Sequence, residues 1–135
     1  MGLQCIPFRA RHIELINPEW SDEMRNLAYF AQETGPGYTA CLYGRPIGAG
    51  GLSIQRPGIA EAWTLFKPVI KMFPLWLHSQ CVEKLNQFNW LDIYAQAESC
   101  NDRWMRILGF EISTEENDFI NLNEGSTLYV RRKCG

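Results

Sequence analysis

The stretch IYAQAESCNDRWMRILGF, Ile93 to Phe110, decides how the chain reads. It opens as a strand running from Leu91 to Ala97: Ile93, Ala95 and Ala97 fall on one face, and Asp92, Tyr94 and Gln96 on the other. A polar turn follows, with Asn101 placed to cap a helix from Asp102 to Leu108. Gly109 then stops the helix, so Leu108-Gly109-Phe110 closes the segment.

Working outward, Pro74 to Phe88 reads as the main helix. Pro74 suits its first turn, and Leu77, Cys81, Val82, Leu85 and Phe88 form an apolar stripe. Before it lies a meander of three strands. Tyr38 to Tyr43 and Ile47 to Ile54 are joined by the turn Gly44-Arg45-Pro46, and Arg56-Pro57-Gly58 leads into Ile59 to Phe66. In that third strand Ala60, Ala62, Thr64 and Phe66 share one face, and Glu61, Trp63 and Leu65 the other. Gly48, Gly50 and Gly51 inside a strand indicate a bulge or a close backbone approach.

Nearer the N-terminus, Leu3 to Phe8 reads as a first strand. Pro18 to Phe30 reads as a helix capped by Asn17, with Trp20, Met24, Leu27 and Phe30 (or Ala31) turned to the core. Glu111 to Thr114 and Ser126 to Arg132 make a final strand pair, and the polar link between them holds a further extended piece at Phe119 to Leu122. The order is α+β (α/β with a mixed sheet): six to seven strands flanked by helices, a meander being antiparallel and helix-linked strands parallel.

A chain of 135 residues suits one domain, 1–135. With 46% hydrophobic and 21% charged residues it is ordinary for a globular protein. A net charge of -2 argues against nucleic acid as a partner, and Arg131-Arg132-Lys133 reads as a solvated chain end. The five cysteines are widely spaced without a CxxC pair, which points to reduced thiols rather than a disulfide framework. The two histidines, His12 and His78, build no metal shell with them. No apolar run is long enough for a membrane span, and the first residues lack signal-peptide segments, so a cytoplasmic location is expected.

The pieces Tyr43-Gly44-Arg45-Pro46-Ile47-Gly48, Glu61-Ala62-Trp63-Thr64-Leu65-Phe66 and Leu108-Gly109-Phe110, in that order, resemble a GNAT acetyltransferase domain over about Tyr38 to Arg132. The resemblance implies a sheet that splays after its fourth strand to admit acetyl-CoA or another acyl-CoA. It also implies a small-molecule or protein amine as acceptor, and pairing into a homodimer through the C-terminal strands. Backbone contacts to the pantetheine arm would fall on Leu65, Phe66 and Lys67. The family's pyrophosphate cradle would fall on Lys71, Met72 and Phe73, followed by Pro74, Leu75 and Trp76.

Two departures stand out. In the family, glycines let bare amides approach the phosphates at a helix N-terminus. Here Pro74 has no amide hydrogen and Trp76 is bulky where small residues usually stand. The family's general acid, a Tyr four residues before the Gly of Leu-Gly-Phe, is Met105, which has no proton to give. The family's frequent Asn, eleven residues before that Gly, is Glu98.

Glu61 lies on the strand where the resemblance places a general base, and burial there would raise its pKa. The alternative is a solvent-facing Glu, or one ion-paired with Arg45 or Arg56. Trp63, Trp76, Trp90 and Trp104 line a ligand cleft or simply pack. His78 reads as a satisfied helix residue, and Cys100 as a thiol without a base. The glycines of the meander are no dinucleotide loop, because no helix follows them. The functional expectation is an acyl-CoA-dependent N-acetyltransferase. Its alternatives are a catalytically inactive GNAT-fold phage or prophage protein with a structural or binding role, and an unrelated α+β binding module.

Overall fold

Tyr43 and Gly44, both at positive φ (49° and 78°), make a two-residue hairpin turn. They join two strands of the computed structural model, which describes residues 2–19, 21–114, 120 and 122–134, Gln55 by its backbone alone. The strands are Leu3–Pro7 (β1), Gly37–Leu42 (β2), Arg45–Arg56 (β3), Ile59–Phe66 (β4), Asp92–Ala97 (β5), Glu111–Ile112 (β6) and Thr127–Arg131 (β7). The helices are His12–Ile16 (α1), Asp22–Thr34 (α2), Pro74–Gln87 (α3) and Asp102–Ile107 (α4). All seven strands join one sheet in the order β1-β2-β3-β4-β5-β7-β6. β4 and β5 run parallel, and β1-β2, β2-β3, β5-β7 and β6-β7 run antiparallel, so the sheet is mixed. The chain divides into two compact units, Met1–Ser53 with Trp63–Leu77, and Ile54–Ala62 with His78–Gly135.

In the first unit, period-two alternation sorts β4 between two apolar clusters. Trp63 and Leu65 pack against Phe8, Ala10, Ile13, Ile16, Ala28, Ala31 and Ala49. Phe66 packs with Trp76 and Leu77 against Ala40, Ile47 and Ile70. The glycines of β3 are explained by close approach. A Cβ at Gly51 would collide with Pro36 O and lie 2.8 Å from Gly37 Cα.

The N-terminal helix is corrected in three ways. It starts at Asp22, capped by Ser21, whose Oγ accepts from the Met24 N–H at 3.2 Å. Asn17 instead ends a shorter helix unseen in the sequence, α1: its N–H donates to Ile13 O at 2.8 Å, and its Oδ1 accepts from Glu19 N–H. The buried stripe of α2 is Ala28 and Ala31, while Leu27 and Phe30 are 60% and 47% exposed. Small side chains let this helix lie close to its neighbours, which turns the large ones outward. Trp20 lies outside the described residues.

α1 carries a buried imidazole. His12 Nδ1 accepts from the Arg9 N–H at 3.1 Å and from the Thr39 hydroxyl at 2.8 Å. Both bonds need a neutral ring protonated at Nε2. Burial first, then the charges of Arg11 and Arg9, hold its pKa below the usual 6.5.

In the second unit, Ile59, Ala60 and Glu61 of β4 pair with Asp92, Ile93 and Tyr94 of β5. Tyr94, Ile120 and Val130 form one buried cluster there, with Ile59 and Leu128 packed on it. Phe119 and Asn121, expected in an extended piece, lie outside the described residues. Arg131 is a clamp rather than part of a solvated end. Its Nε donates to Leu108 O at 3.2 Å, Nη1 to Leu85 O at 3.3 Å and Nη2 to Asn86 Oδ1 at 2.8 Å. A cation on the last carbonyls of two helices satisfies orphan acceptors and opposes their dipoles. Asn101 makes no side-chain cap for α4. Asp102, in its first turn, is bonded by the Tyr129 hydroxyl at 2.7 Å and Arg106 Nε at 2.9 Å.

Two outcomes follow from the first unit. Gly51→Ala is expected to lower stability by about 1–3 kcal/mol, the usual cost of overpacking, measured by urea denaturation. For His12 the folded pKa lies below the unfolded one, so its contribution is full above pH 6.5 and lost as pH falls. Urea titrations on both sides of that pH should show wild-type stability dropping more than that of His12→Asn.

Candidate functional site

The geometry of β4 is set by which neighbour takes each backbone group. The Lys67 N–H donates to Ile47 O of β3 at 2.8 Å, and the Asp92 N–H of β5 donates to Gly58 O at 2.9 Å. Alternation then turns the backbone of Glu61, Trp63, Leu65 and Lys67 toward β3, and that of Ala60, Ala62, Thr64 and Phe66 to the opposite edge. The ladder with β5 covers Ile59 to Glu61, and β4 runs on to Phe66. Of the residues expected to offer backbone to a pantetheine arm, Phe66 therefore turns to that opposite edge, and Leu65 does not. Lys67 has both groups engaged, its carbonyl accepting from the Ile70 N–H at 3.1 Å. Thr64, exposed and missed in the sequence, shares the edge with Phe66. Composition could not reveal it, because the parity follows only once the partner of one backbone group is known.

After β4 the chain makes a 3-10 turn, Pro68–Met72, and enters α3 through Phe73. The first backbone return in α3 is Leu77 N–H to Phe73 O at 3.0 Å. Pro74 has no N–H, so Leu75 and Trp76 are the amides that the first turn leaves without an intrahelical acceptor. Lys71 is exposed beside them, Met72 is 74% exposed and Leu75 84%. The Trp76 ring packs against the Ala40, Ile47 and Ile70 cluster, which is where its bulk goes. Two amides, a helix N-terminus and an ammonium suit an anionic diphosphate, with fewer donors than a glycine loop offers.

Glu61 is half-buried. Among the described residues its side-chain partner is Gln96 of β5, whose Nε2 donates to Glu61 Oε1 at 3.4 Å, and not Arg45 or Arg56. Burial raises the carboxyl's pKa above the usual 4.5, and the Gln96 bond works against that rise. Met105, which stands where the resemblance implies a general acid, is buried, 7% exposed, and offers a thioether. Glu98 is exposed, with Cys100 Sγ 3.8 Å from its Oε2. His78 Nδ1 accepts from Trp104 Nε1–H at 3.1 Å, a satisfied helix histidine. Of the other tryptophans, Trp63 packs on the first unit's core and Trp90 is 55% exposed.

Solved structures identify the fold. An acetyltransferase from Streptococcus agalactiae superposes with a TM-score of 0.75 at 17% identity, covering 98% of this chain and 99% of that one. A GNAT-family acetyltransferase from Staphylococcus aureus gives 0.69 at 13% identity, with 96% and 98% covered. The ribosomal-protein alanine N-acetyltransferase of Escherichia coli gives 0.69 at 12% identity, with 98% and 96% covered. The chain thus has the GNAT fold along essentially its whole length. No protein-family model matches it, and no curated protein matches it.

The Glu61 environment carries its own prediction. A carboxyl whose pKa is raised by folding adds stability below 4.5 and loses it as pH rises through the folded value. Glu61→Gln removes that loss. Thermal melts should show the variant gaining on the wild type as pH rises above 4.5.

Proposed function

We propose that this chain is an acyl-CoA-dependent N-acetyltransferase acting on an amine. The observation that carries the reading is Glu61, a half-buried carboxylate of raised pKa on the strand whose far end leaves the Thr64 and Phe66 backbone turned away from β3. A buried carboxylate with higher basicity is suited to take a proton near neutral pH.

In this reading the Thr64 and Phe66 backbone hydrogen-bonds the pantetheine arm, in place of a strand partner, with Leu65 and Lys67 alongside. Lys71 and the Leu75 and Trp76 amides hold the pyrophosphate, flanked by Met72 and Phe73. Acetyl-CoA supplies a thioester carbonyl open to attack by an amine. A Glu61 carboxylate oxygen takes a proton from the acceptor ammonium, directly or through one water, and frees the nitrogen lone pair. The C–N bond forms and the C–S bond breaks. The nitrogen's remaining surplus proton leaves to water, and the sulfur takes its proton from water, because Met105 cannot donate. Glu61 then returns its proton to solvent. The acceptor is a free or protein-borne amine; two chains pairing through C-terminal strands remain part of the proposal.

Millimolar acetyl-CoA is expected to raise the Tm, and Lys71→Glu to diminish the rise. Glu61→Gln should lower kcat/KM by about 10²–10⁴ while leaving the Tm shift in place. Absence of any Tm shift would overturn the reading. Binding without turnover on any amine would favour the non-catalytic GNAT-fold alternative.

A further inference from the structure

The second unit contains a side-chain relay that ends on Glu61. The Asn123 N–H donates to Gln96 Oε1 at 2.7 Å, and Gln96 Nε2 lies 3.4 Å from Glu61 Oε1. Gln96 stands two residues beyond Tyr94, the β5 partner of Glu61, so both side chains share one face in a diagonal pair. Long side chains reach across that spacing.

We infer that Gln96 is a positioning residue for Glu61: anchored by the backbone of Asn123, it fixes the carboxylate's orientation and tunes its basicity. Amide polarity sets which way Gln96 faces. A backbone N–H can only donate, so the Gln96 atom facing Asn123 must be the oxygen. The amide plane then has one place for its NH₂, toward Glu61. A donated N–H favours the ionised carboxylate and restrains its rotation, leaving Oε2 to receive a proton. Asn123 lies ahead of β7, so the segment entering that strand is tied to the carboxylate through a single amide. Among the described residues, burial and the Gln96 bond are the influences on the Glu61 carboxyl, with no charged side chain among them. The neighbouring titratable group on β5 is Tyr94, whose hydroxyl accepts from Arg132 Nη1 at 3.4 Å.

The catalytic consequence rests on the reading of Glu61 as the base; the positioning does not. It is tested in the full chain by following the Glu61 side-chain carboxyl by carbon NMR through a pH titration, in wild type and Gln96→Leu. The variant should titrate at higher pH, and an unchanged midpoint would overturn the inference. A second measurement needs no substitution: the Gln96 side-chain amide signals of the wild type should shift with the midpoint of Glu61. Amide signals indifferent to that titration would also overturn it. If Glu61 moves and the acidic limb of kcat/KM moves with it, relay and base both stand. If Glu61 moves while turnover keeps its pH profile, the relay stands and another group is the base.

Discussion

A strand inside a sheet must find partners for the backbone groups on both of its edges. In β4 that requirement is met on one side as far as Lys67, whose N–H reaches Ile47 O. On the other side the ladder with β5 covers Ile59 to Glu61. The residues beyond it therefore raise a question the fold itself does not answer: what Thr64 and Phe66 bond to when the protein works. In the proposed reading, an extended chain of amides such as a pantetheine arm would bond there. Side-chain packing supports this arrangement, because Trp63, Leu65 and Phe66 anchor both faces of β4 in apolar clusters. The strand is held by its faces, and among the described residues its pairing with β5 ends at Glu61.

The second unit is organised by polar anchors. Arg131 gathers carbonyls at the ends of α3 and α4, and Tyr129, 1% exposed, fixes Asp102 at the start of α4. Both anchors lie on β7, which pairs with β5 from Ala97 back to Ile93. The strand that carries Gln96 is thus braced by a neighbour whose side chains also hold two helices.

Much of the architecture was legible in the sequence. Period-two alternation placed β4 at Ile59 to Phe66, and Pro74 marked the start of α3, both as found. Glycines in β3 announced a bulge or a close approach; Gly51 lies close against Pro36 and Gly37, and the β2-β3 register shifts beside Gly48. The N-terminal helices were misread because Asn17 and Ser21 are both good caps, and only hydrogen bonds show that one ends α1 and the other begins α2. Leu27 and Phe30 misled for a related reason: Ala28 and Ala31 share the helical period, and tertiary packing chose the small pair. Alternation put Glu61 on β4, where it lies. Its contact with Gln96 was not legible, since it appears only when the β4-β5 register and Asn123 come together.

The chain has the GNAT fold, and Met105, Pro74 and Trp76 stand where the resemblance would put a proton donor and small cradle residues. What stays is backbone: the edge of β4 and the first amides of α3. Under the proposed function those amides meet an acyl-CoA. A proton–nitrogen NMR titration with acetyl-CoA reads them one by one. The largest shifts should appear at Thr64, Phe66, Leu75 and Trp76. Saturating acetyl-CoA that leaves these four signals in place would contradict the account.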